Sequence, residues 1–273
     1  LRKIDLNCDL GESFGVYRIG ADREIMEYVS SVNIACGFHA GDPSVMRRTV
    51  EMAVECGVAI GAHPGLHDLE GFGRRELRVS MRETEDLIIY QIGALDAFAR
   101  ASGARLAHVK PHGALYNMIA RDPNLARAAA TAVKAVDPGL LLYLPAGSEA
   151  VTIARELGVT VIEEGFADRA YLPDGSLAPR SREDALISDP EEAGRRAVLM
   201  AAEGKVRCVD GTVLALQIGT ICIHGDQANA AGFAAAIAEA LHNAEFSIVS
   251  PGSAVSAVSA VSAGKAAVSA IKQ

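Results

Sequence analysis

Basic runs are missing from this sequence: 34 acidic residues outnumber 26 basic ones, the formal net charge is -8, and nothing offers a phosphate backbone an electrostatic track. That excludes nucleic acid as an expected partner. Long apolar runs are missing too. No stretch approaches the roughly 18 consecutive apolar residues of a membrane span, and the chain opens on the strand-like Arg2-Lys3-Ile4-Asp5-Leu6 rather than on a charged segment with an apolar core. We expect neither a secretion signal nor a membrane span. The five cysteines, at 8, 36, 56, 208 and 222, are odd in number and form no C-x-x-C pair, which reads as reduced thiols in the cytoplasm. Nucleotide and hydrolase signatures are equally scarce. Gly264-Lys265 is followed by Ala266 and lacks the earlier glycine of a G-x-x-x-x-G-K-[ST] phosphate loop, and neither G-x-S-x-G nor H-E-x-x-H occurs.

What is present is a repeating pattern. The 273 residues, 50% hydrophobic, suffice to bury about 70 to 75% of the unfolded surface. Strand-like runs at Lys3 to Leu10, Val32 to His39, Val58 to His63, Leu106 to Tyr116, Leu140 to Leu144, Thr160 to Glu164 and within Val213 to His224 alternate with amphipathic stretches. Among the latter are Pro43 to Cys56, Ser80 to Ala101, Asn124 to Val136 and Pro190 to Glu203. Asp42-Pro43 and Asp189-Pro190 are helix starts, and Gly57, Gly103 and Gly158 are stops. Seven such units favour a closed α/β barrel over an open doubly wound sheet. Between Lys205 and His224, Asp210-Gly211 separates two short apolar runs and predicts a β-hairpin. Residues 1–250 read as a single domain, and 251–273, rich in Ala, Val, Ser and Gly, as a low-complexity tail outside the active site.

Residues two apart on a strand share a face. Asp5, Asn7 and Asp9 oppose Ile4, Leu6, Cys8 and Leu10; Asn33 and His39 share a face, as do His108, Lys110 and His112, and Thr220, Cys222, His224 and Asp226. Outer helices need the apolar face, so the polar face turns inward. Burying so many titratable groups is costly unless they pair with one another, a ligand or a metal. They gather toward the carboxyl ends of the strands, where parallel α/β folds build active sites.

The candidate catalytic residues are Asp9, His39, His63, Lys110 and His112. A lysine pointing into a barrel rarely has a packing reason to exist, and His112 stands two residues from it. Arg74 suits a carboxylate or phosphoryl oxygen, with a surface ion pair as an equally good reading of Arg74-Arg75. Asp168, Arg169, His224 and Asp226 follow the last two strands and join Asn7 and Arg74 as candidate substrate contacts. Asp42 reads as a helix cap, His67 as a surface residue, and His108 and His242 as structural.

Seven blocks then stand in order along the chain: Asp5-Leu-Asn-Cys-Asp-Leu-Gly-Glu-Ser-Phe14, Asn33-Ile-Ala-Cys-Gly-Phe-His-Ala-Gly-Asp42, Gly61-Ala-His-Pro-Gly65, Gly71-Phe-Gly-Arg-Arg75, Lys110-Pro-His-Gly-Ala-Leu-Tyr-Asn117, Phe166-Ala-Asp-Arg-Ala-Tyr171 and Ile223-His-Gly-Asp226. Together, over about residues 2 to 245, they resemble the LamB/YcsF family, the A subunits of 5-oxoprolinase. Tyr17 stands where the family pattern has Trp, Leu66-His67 replaces Tyr-Pro, and Gly219 replaces an Asp. The resemblance implies a seven-stranded α/β barrel of the glycoside hydrolase/deacetylase type. It also implies cleavage of 5-oxoproline to L-glutamate coupled to ATP hydrolysis, with 5-oxoprolinase subunits B and C as partners. Without a phosphate loop, ATP must use an atypical site or another subunit. Two alternatives stay open: a deacetylase or amidohydrolase holding a divalent metal on Asp9, His39, His63 and His112, and a noncatalytic ligand-binding subunit. Metal requirement and homo-oligomerisation leave no trace in the sequence.

Overall fold

Seven parallel strands close on themselves in the computed structural model, which describes residues 1–227 and 229–251. They are β1 (Arg2–Leu10), β2 (Ser31–Ala35), β3 (Ala59–His63), β4 (Leu106–Val109), β5 (Leu141–Pro145), β6 (Val161–Phe166) and, beyond the hairpin β7 (Lys205–Arg207) and β8 (Val213–Ala215), β9 (Thr220–His224). β9 pairs with both β6 and β1, placing Asp5 beside Thr220 and Asp9 beside His224, so the sheet has no open edge within the barrel. A short β10 (Phe246–Ile248) runs parallel to the start of β1. The helices are α1 (Asp22–Met26), α2 (Pro43–Cys56), α3 (Met81–Ala101), α4 (Gly113–Arg121), α5 (Pro123–Val136), α6 (Glu149–Glu156), α7 (Pro190–Glu203) and α8 (Ala230–Asn243). The expected tail lies outside the described residues apart from Pro251.

Helix boundaries follow their local chemistry. The Asp42 carboxylate accepts the Ser44 and Val45 N–H groups at 2.8 and 2.9 Å, Pro43 needs no partner in the first turn, and Gly57 ends α2 at φ 68°. Ser80 and Glu83 form a reciprocal capping box at the start of α3. Leu6, Cys8 and Leu10 of β1 share one apolar cluster with Val32, Ile34, Ile60 and Ala62 of the neighbouring strands, Ile88, Ile92 and Leu95 of α3, and Ile237 and Leu241 of α8. The other faces of the strands are polar and buried.

Two strands end earlier than the sequence predicts. β4 stops at Val109 rather than Tyr116, because Pro111 offers no N–H to a ladder and α4 begins at Gly113. β2 stops at Ala35 rather than His39, where Gly37 turns the chain at φ 91°. His39, Lys110 and His112 therefore sit on loops at the carboxyl end of the barrel, not on strands. The hairpin is confined to β7 and β8, turned at Asp210-Gly211 with the Gly211 N–H donating to the Cys208 carbonyl at 3.0 Å, while β9 belongs to the barrel. The three-residue β10 and the alanine-rich α8 lack a clear period in the sequence.

The interior leaves no room at Gly61, where an added Cβ would lie 2.1 Å from His108 Nε2. At Gly93, exposed in α3, it would meet nothing within 4 Å. Gly61→Ala should lower the unfolding free energy by about 2 kcal/mol or more, and Gly93→Ala should raise it by up to about 1 kcal/mol, both read from urea denaturation. Equal effects would contradict a packed polar interior.

Candidate active site

The floor of the barrel is a satisfied carboxylate. Asp5 accepts hydroxyls from Ser30, Ser31, Tyr143 and Thr220 at 2.7, 2.8, 2.9 and 2.6 Å, which offset the burial that raises its pKa. Above it, the Asn7 amide donates to Thr220 Oγ1 at 2.7 Å and to Glu164 Oε1 at 2.9 Å, and its oxygen accepts from Asn33 at 2.7 Å. His108 stacks on Tyr143 with centroids 4.2 Å apart and meets Asn33 Oδ1 through Nε2 at 2.7 Å. Burial, with Lys110 nearby, drives its pKa down to about 3, so the ring is neutral and Nε2 carries the proton. Asn7, a candidate substrate contact, is fully buried in this network beneath the mouth.

Lys110 stands on this floor. Its Nζ lies 2.9 Å from Asp9 Oδ1, 3.2 Å from Glu164 Oε1 and 2.8 Å from Cys222 Sγ. Burial works against the ammonium, but the adjacent acids outweigh it and hold its pKa well above the usual lysine range. Asp9 is held well below the carboxylate range although burial opposes its charge, because His63 and Lys110 prevail. Burial keeps Cys222 a thiol despite Lys110. Tyr116 donates to Glu164 Oε2 at 2.6 Å, so both oxygens of that carboxylate are engaged.

Three histidines and a glutamate occupy the level above. His63 Nδ1 meets the Lys110 carbonyl at 2.6 Å and His112 Nε2 meets the Phe72 carbonyl at 2.8 Å; a carbonyl only accepts, so each of these nitrogens bears the proton. The remaining nitrogens, His63 Nε2 and His112 Nδ1, face each other at 2.9 Å. His39 stacks on His112 with centroids 3.7 Å apart and planes 3° from parallel. Neither His39 nitrogen has a hydrogen-bond partner, nor has Glu12 Oε1. Burial, then His63, pushes His39 well down; burial, then His39, does the same to His112; burial, then Asp9 and Asp226, pushes Glu12 well up. Donor atoms of Glu12, His39, His63 and His112 lie within 4.8 Å of one another, a grouping that could hold a metal.

The rim carries the remaining candidates. Asp168 Oδ2 accepts from His224 Nδ1 at 2.8 Å, the His224 N–H at 3.2 Å and Gln227 at 2.6 Å. Burial opposes its charge, but His224 keeps its pKa below the usual range. Arg74 pairs with Asp226. Arg75 turns away to Asp68, so both arginines of that dipeptide are held in ion pairs, Arg74 by Asp226 and Arg75 by Asp68. Arg169 donates to the Ala178 carbonyl at 2.7 Å, while its buried Nε has no partner; burial and Arg180 lower its pKa to about 10.

Known proteins share this architecture. The model of the LamB/YcsF family matches residues 4–256. This chain belongs to the LamB/YcsF family. It is 58% identical over 246 residues to a protein of Heliobacterium modesticaldum named as the A subunit of 5-oxoprolinase, covering 90% of this chain and 97% of that one. A protein of Geobacillus kaustophilus with the same name is 55% identical over 251 residues, covering 92% and 98%. A solved structure of the lactam utilization protein from Thermus thermophilus superposes with a TM-score of 0.86 at 51% identity, covering 90% of this chain and 99% of that one. Among the described residues no helix is long and apolar enough to cross a membrane.

Of the sequence candidates, Asp9, His39, His63, Lys110 and His112 converge, while Asp168, Arg169, His224, Arg74 and Asp226 ring them. Sequence reasoning does not single out Glu12, Glu164, Tyr116 and Cys222 as site residues. Alternation offers a usable signal for two of them: Cys222 shares the inward face with Thr220 and His224, and of the adjacent Glu163 and Glu164 only one can face outward, as Glu163 does, pairing with Arg155 at 2.9 Å. Tyr116, expected on a strand, stands on α4. Replacing Lys110 with Met strands Asp9 and Glu164 as buried uncompensated carboxylates and should cost about 3 to 5 kcal/mol in denaturant unfolding at neutral pH. An unchanged midpoint would contradict the ion network.

Proposed function

We propose that this chain is the A subunit of an ATP-dependent 5-oxoprolinase, opening the lactam of 5-oxoproline to L-glutamate with subunits B and C in the cytoplasm. The observation that carries the reading is its 51 to 58% identity, over nearly the whole length of both chains, to proteins named as the A subunit of 5-oxoprolinase. The polar mouth supports it chemically. A lactam resists hydrolysis because amide resonance makes its carbonyl a poor electrophile and its nitrogen a poor leaving group. The ammonium of Lys110, fixed by Asp9 and Glu164, suits the negative charge that develops on that carbonyl oxygen, or a phosphoryl group placed on it by ATP.

Water then adds to the carbonyl carbon, the carbon–nitrogen bond breaks, and the nitrogen leaves with a proton; on the phosphorylated route a second water cleaves the resulting acyl phosphate, so that ADP, inorganic phosphate and L-glutamate are the products. His63 and His112 can carry that proton, with Asp9 Oδ2 lying 3.3 Å from His63 Nε2 to orient it. Arg169, with its unpartnered Nε, suits the substrate carboxylate, and Asp168, His224, Arg74 and Asp226 flank it. The missing phosphate loop fits ATP bound mainly by a partner subunit.

The test is glutamate release from 5-oxoproline and ATP by this chain, by its partner subunits, and by the mixture. Release only by the mixture is expected, and Lys110→Met in that mixture should reduce turnover by at least about 100-fold. No release from any combination of folded subunits would refute the reading. A second reading, a metal-dependent amidohydrolase, draws on the Glu12, His39, His63 and His112 cluster; it expects chelator-sensitive amide cleavage by this chain without ATP.

A further inference from the structure

We propose that His63, His112 and Glu12 form a binding site for one divalent transition-metal cation of the zinc type. The starting point is a conflict between lone pairs. The Lys110 and Phe72 carbonyls fix the protons on His63 Nδ1 and His112 Nε2, so in the neutral rings His63 Nε2 and His112 Nδ1 present unshared pairs to each other at 2.9 Å. Only a proton or a cation between them removes that repulsion. A proton on His63 Nε2 would settle the two nitrogens and meet Asp9 Oδ2 at 3.3 Å, but it reaches nothing on Glu12.

A cation settles a third atom as well. Glu12 Oε1 is buried, has no hydrogen-bond partner and lies 3.6 Å from His112 Nδ1. Zinc-type bonds of about 2.0 to 2.1 Å set ligand atoms roughly 3.3 Å apart, so the nitrogens must open by only about 0.4 Å and the oxygen close by about 0.3 Å on His112 Nδ1, while donor atoms of Glu12 and His63 already lie within 4.8 Å of one another. The imidazole rings are already close to perpendicular, at 85°, which lets one ion lie in both ring planes. Two imidazoles and one carboxylate form the three-ligand set of an open zinc site, leaving a position for water or a substrate oxygen. Each imidazole donates its other N–H to a backbone carbonyl, the outer contact that orients metal-binding histidines.

His39 is not a ligand in this arrangement. Its ring lies parallel to His112 at 3.7 Å, and a single ion cannot sit in both of two stacked planes. Its Nδ1 is wedged against Gly65, where an added Cβ would lie 2.4 Å away, so the ring has little freedom to swing. His39 Nε2 instead stands 3.4 Å from Glu12 Oε1, as a neighbour of the ligand. Asp9 Oδ1 is paired with Lys110, and Oδ2, although 3.3 Å from His63 Nε2, is not in the group with Glu12, His63 and His112 whose donor atoms all lie within 4.8 Å of one another, so Asp9 remains outside the set.

The site takes the same two nitrogens that carry the proton in the 5-oxoprolinase reading, so a bound ion leaves that role to other groups; its test uses the chain alone, without substrate, ATP or partners. The full chain is stripped with a chelator and titrated with Co²⁺, followed by the visible absorption of the bound ion and then by displacement with Zn²⁺. One equivalent should bind. His63→Gln, His112→Gln and Glu12→Gln should each weaken binding by more than about 100-fold, whereas His39→Gln should stay within about tenfold. Circular dichroism confirms that each variant is folded, and wild-type stoichiometry decides the matter if one is not. Absence of stoichiometric Co²⁺ and Zn²⁺ binding, with a protonated His63 and His112 pair in its place, overturns the proposal. So does a His39→Gln variant that loses binding as fully as His112→Gln.

Discussion

A lysine ammonium inside a closed barrel cannot exist without anions around it, and the arrangement of this interior follows from that requirement. Lys110 draws Asp9 from β1 and Glu164 from β6 to within 2.9 and 3.2 Å, and those acids need partners for their remaining oxygens. Tyr116 takes Glu164 Oε2 and His63 Nε2 lies 3.3 Å from Asp9 Oδ2, while Asn7 and Asn33 add hydrogen bonds to the oxygens that face Lys110. The network continues down to Asp5, so a polar column held by strands on opposite sides of the barrel replaces the branched apolar side chains that fill ordinary barrel interiors. A mouth built on this column has fixed charges, with little freedom to relax when a substrate arrives.

Above the column the chain changes strategy. The strands end, and short loops carrying His39, Lys110 and His112 bring imidazoles together at van der Waals and hydrogen-bond distance. Glycine makes the approach possible. An added Cβ at Gly73 would lie 2.6 Å from His39 Cβ and 2.9 Å from His112 Cδ2, and Gly73 already needs a φ of 62°. The column and the loops thus supply a cation, a carboxylate and three imidazoles within one small volume, which is what amide cleavage and metal binding both require.

Much of this is legible in the sequence, for reasons that can be named. Asp5, Asn7 and Asp9 alternate with Ile4, Leu6, Cys8 and Leu10, so β1 announces its polar inner face, and Asp42-Pro43 with Gly57 bound α2 to the residue. The seven-part alternation matches the number of barrel strands. Less legible is whatever depends on loop shape. Lys110-Pro111-His112-Gly113 reads as the continuation of a strand, yet proline ends the ladder and the chain turns directly into α4, which carries Tyr116 back to Glu164. Glu12 follows Gly11, whose φ of 70° breaks the strand alternation that places its neighbours, so its approach to the histidines has no periodic signal. Arg74 and Arg75 cannot be separated without knowing that Asp68 holds one and Asp226 the other.

The state of Lys110 tests the account most directly. The ¹⁵N resonance of its Nζ, assigned by its loss in Lys110→Arg, can be followed in the intact chain from about pH 7 to about pH 10, just below the ordinary lysine pKa. Asp9 and Glu164 should keep it an ammonium with a constant shift across that range. A neutral amine at pH 7, or a titration completed below the ordinary lysine value, would show that burial outweighs the acids and would remove the constraint from which the interior was derived.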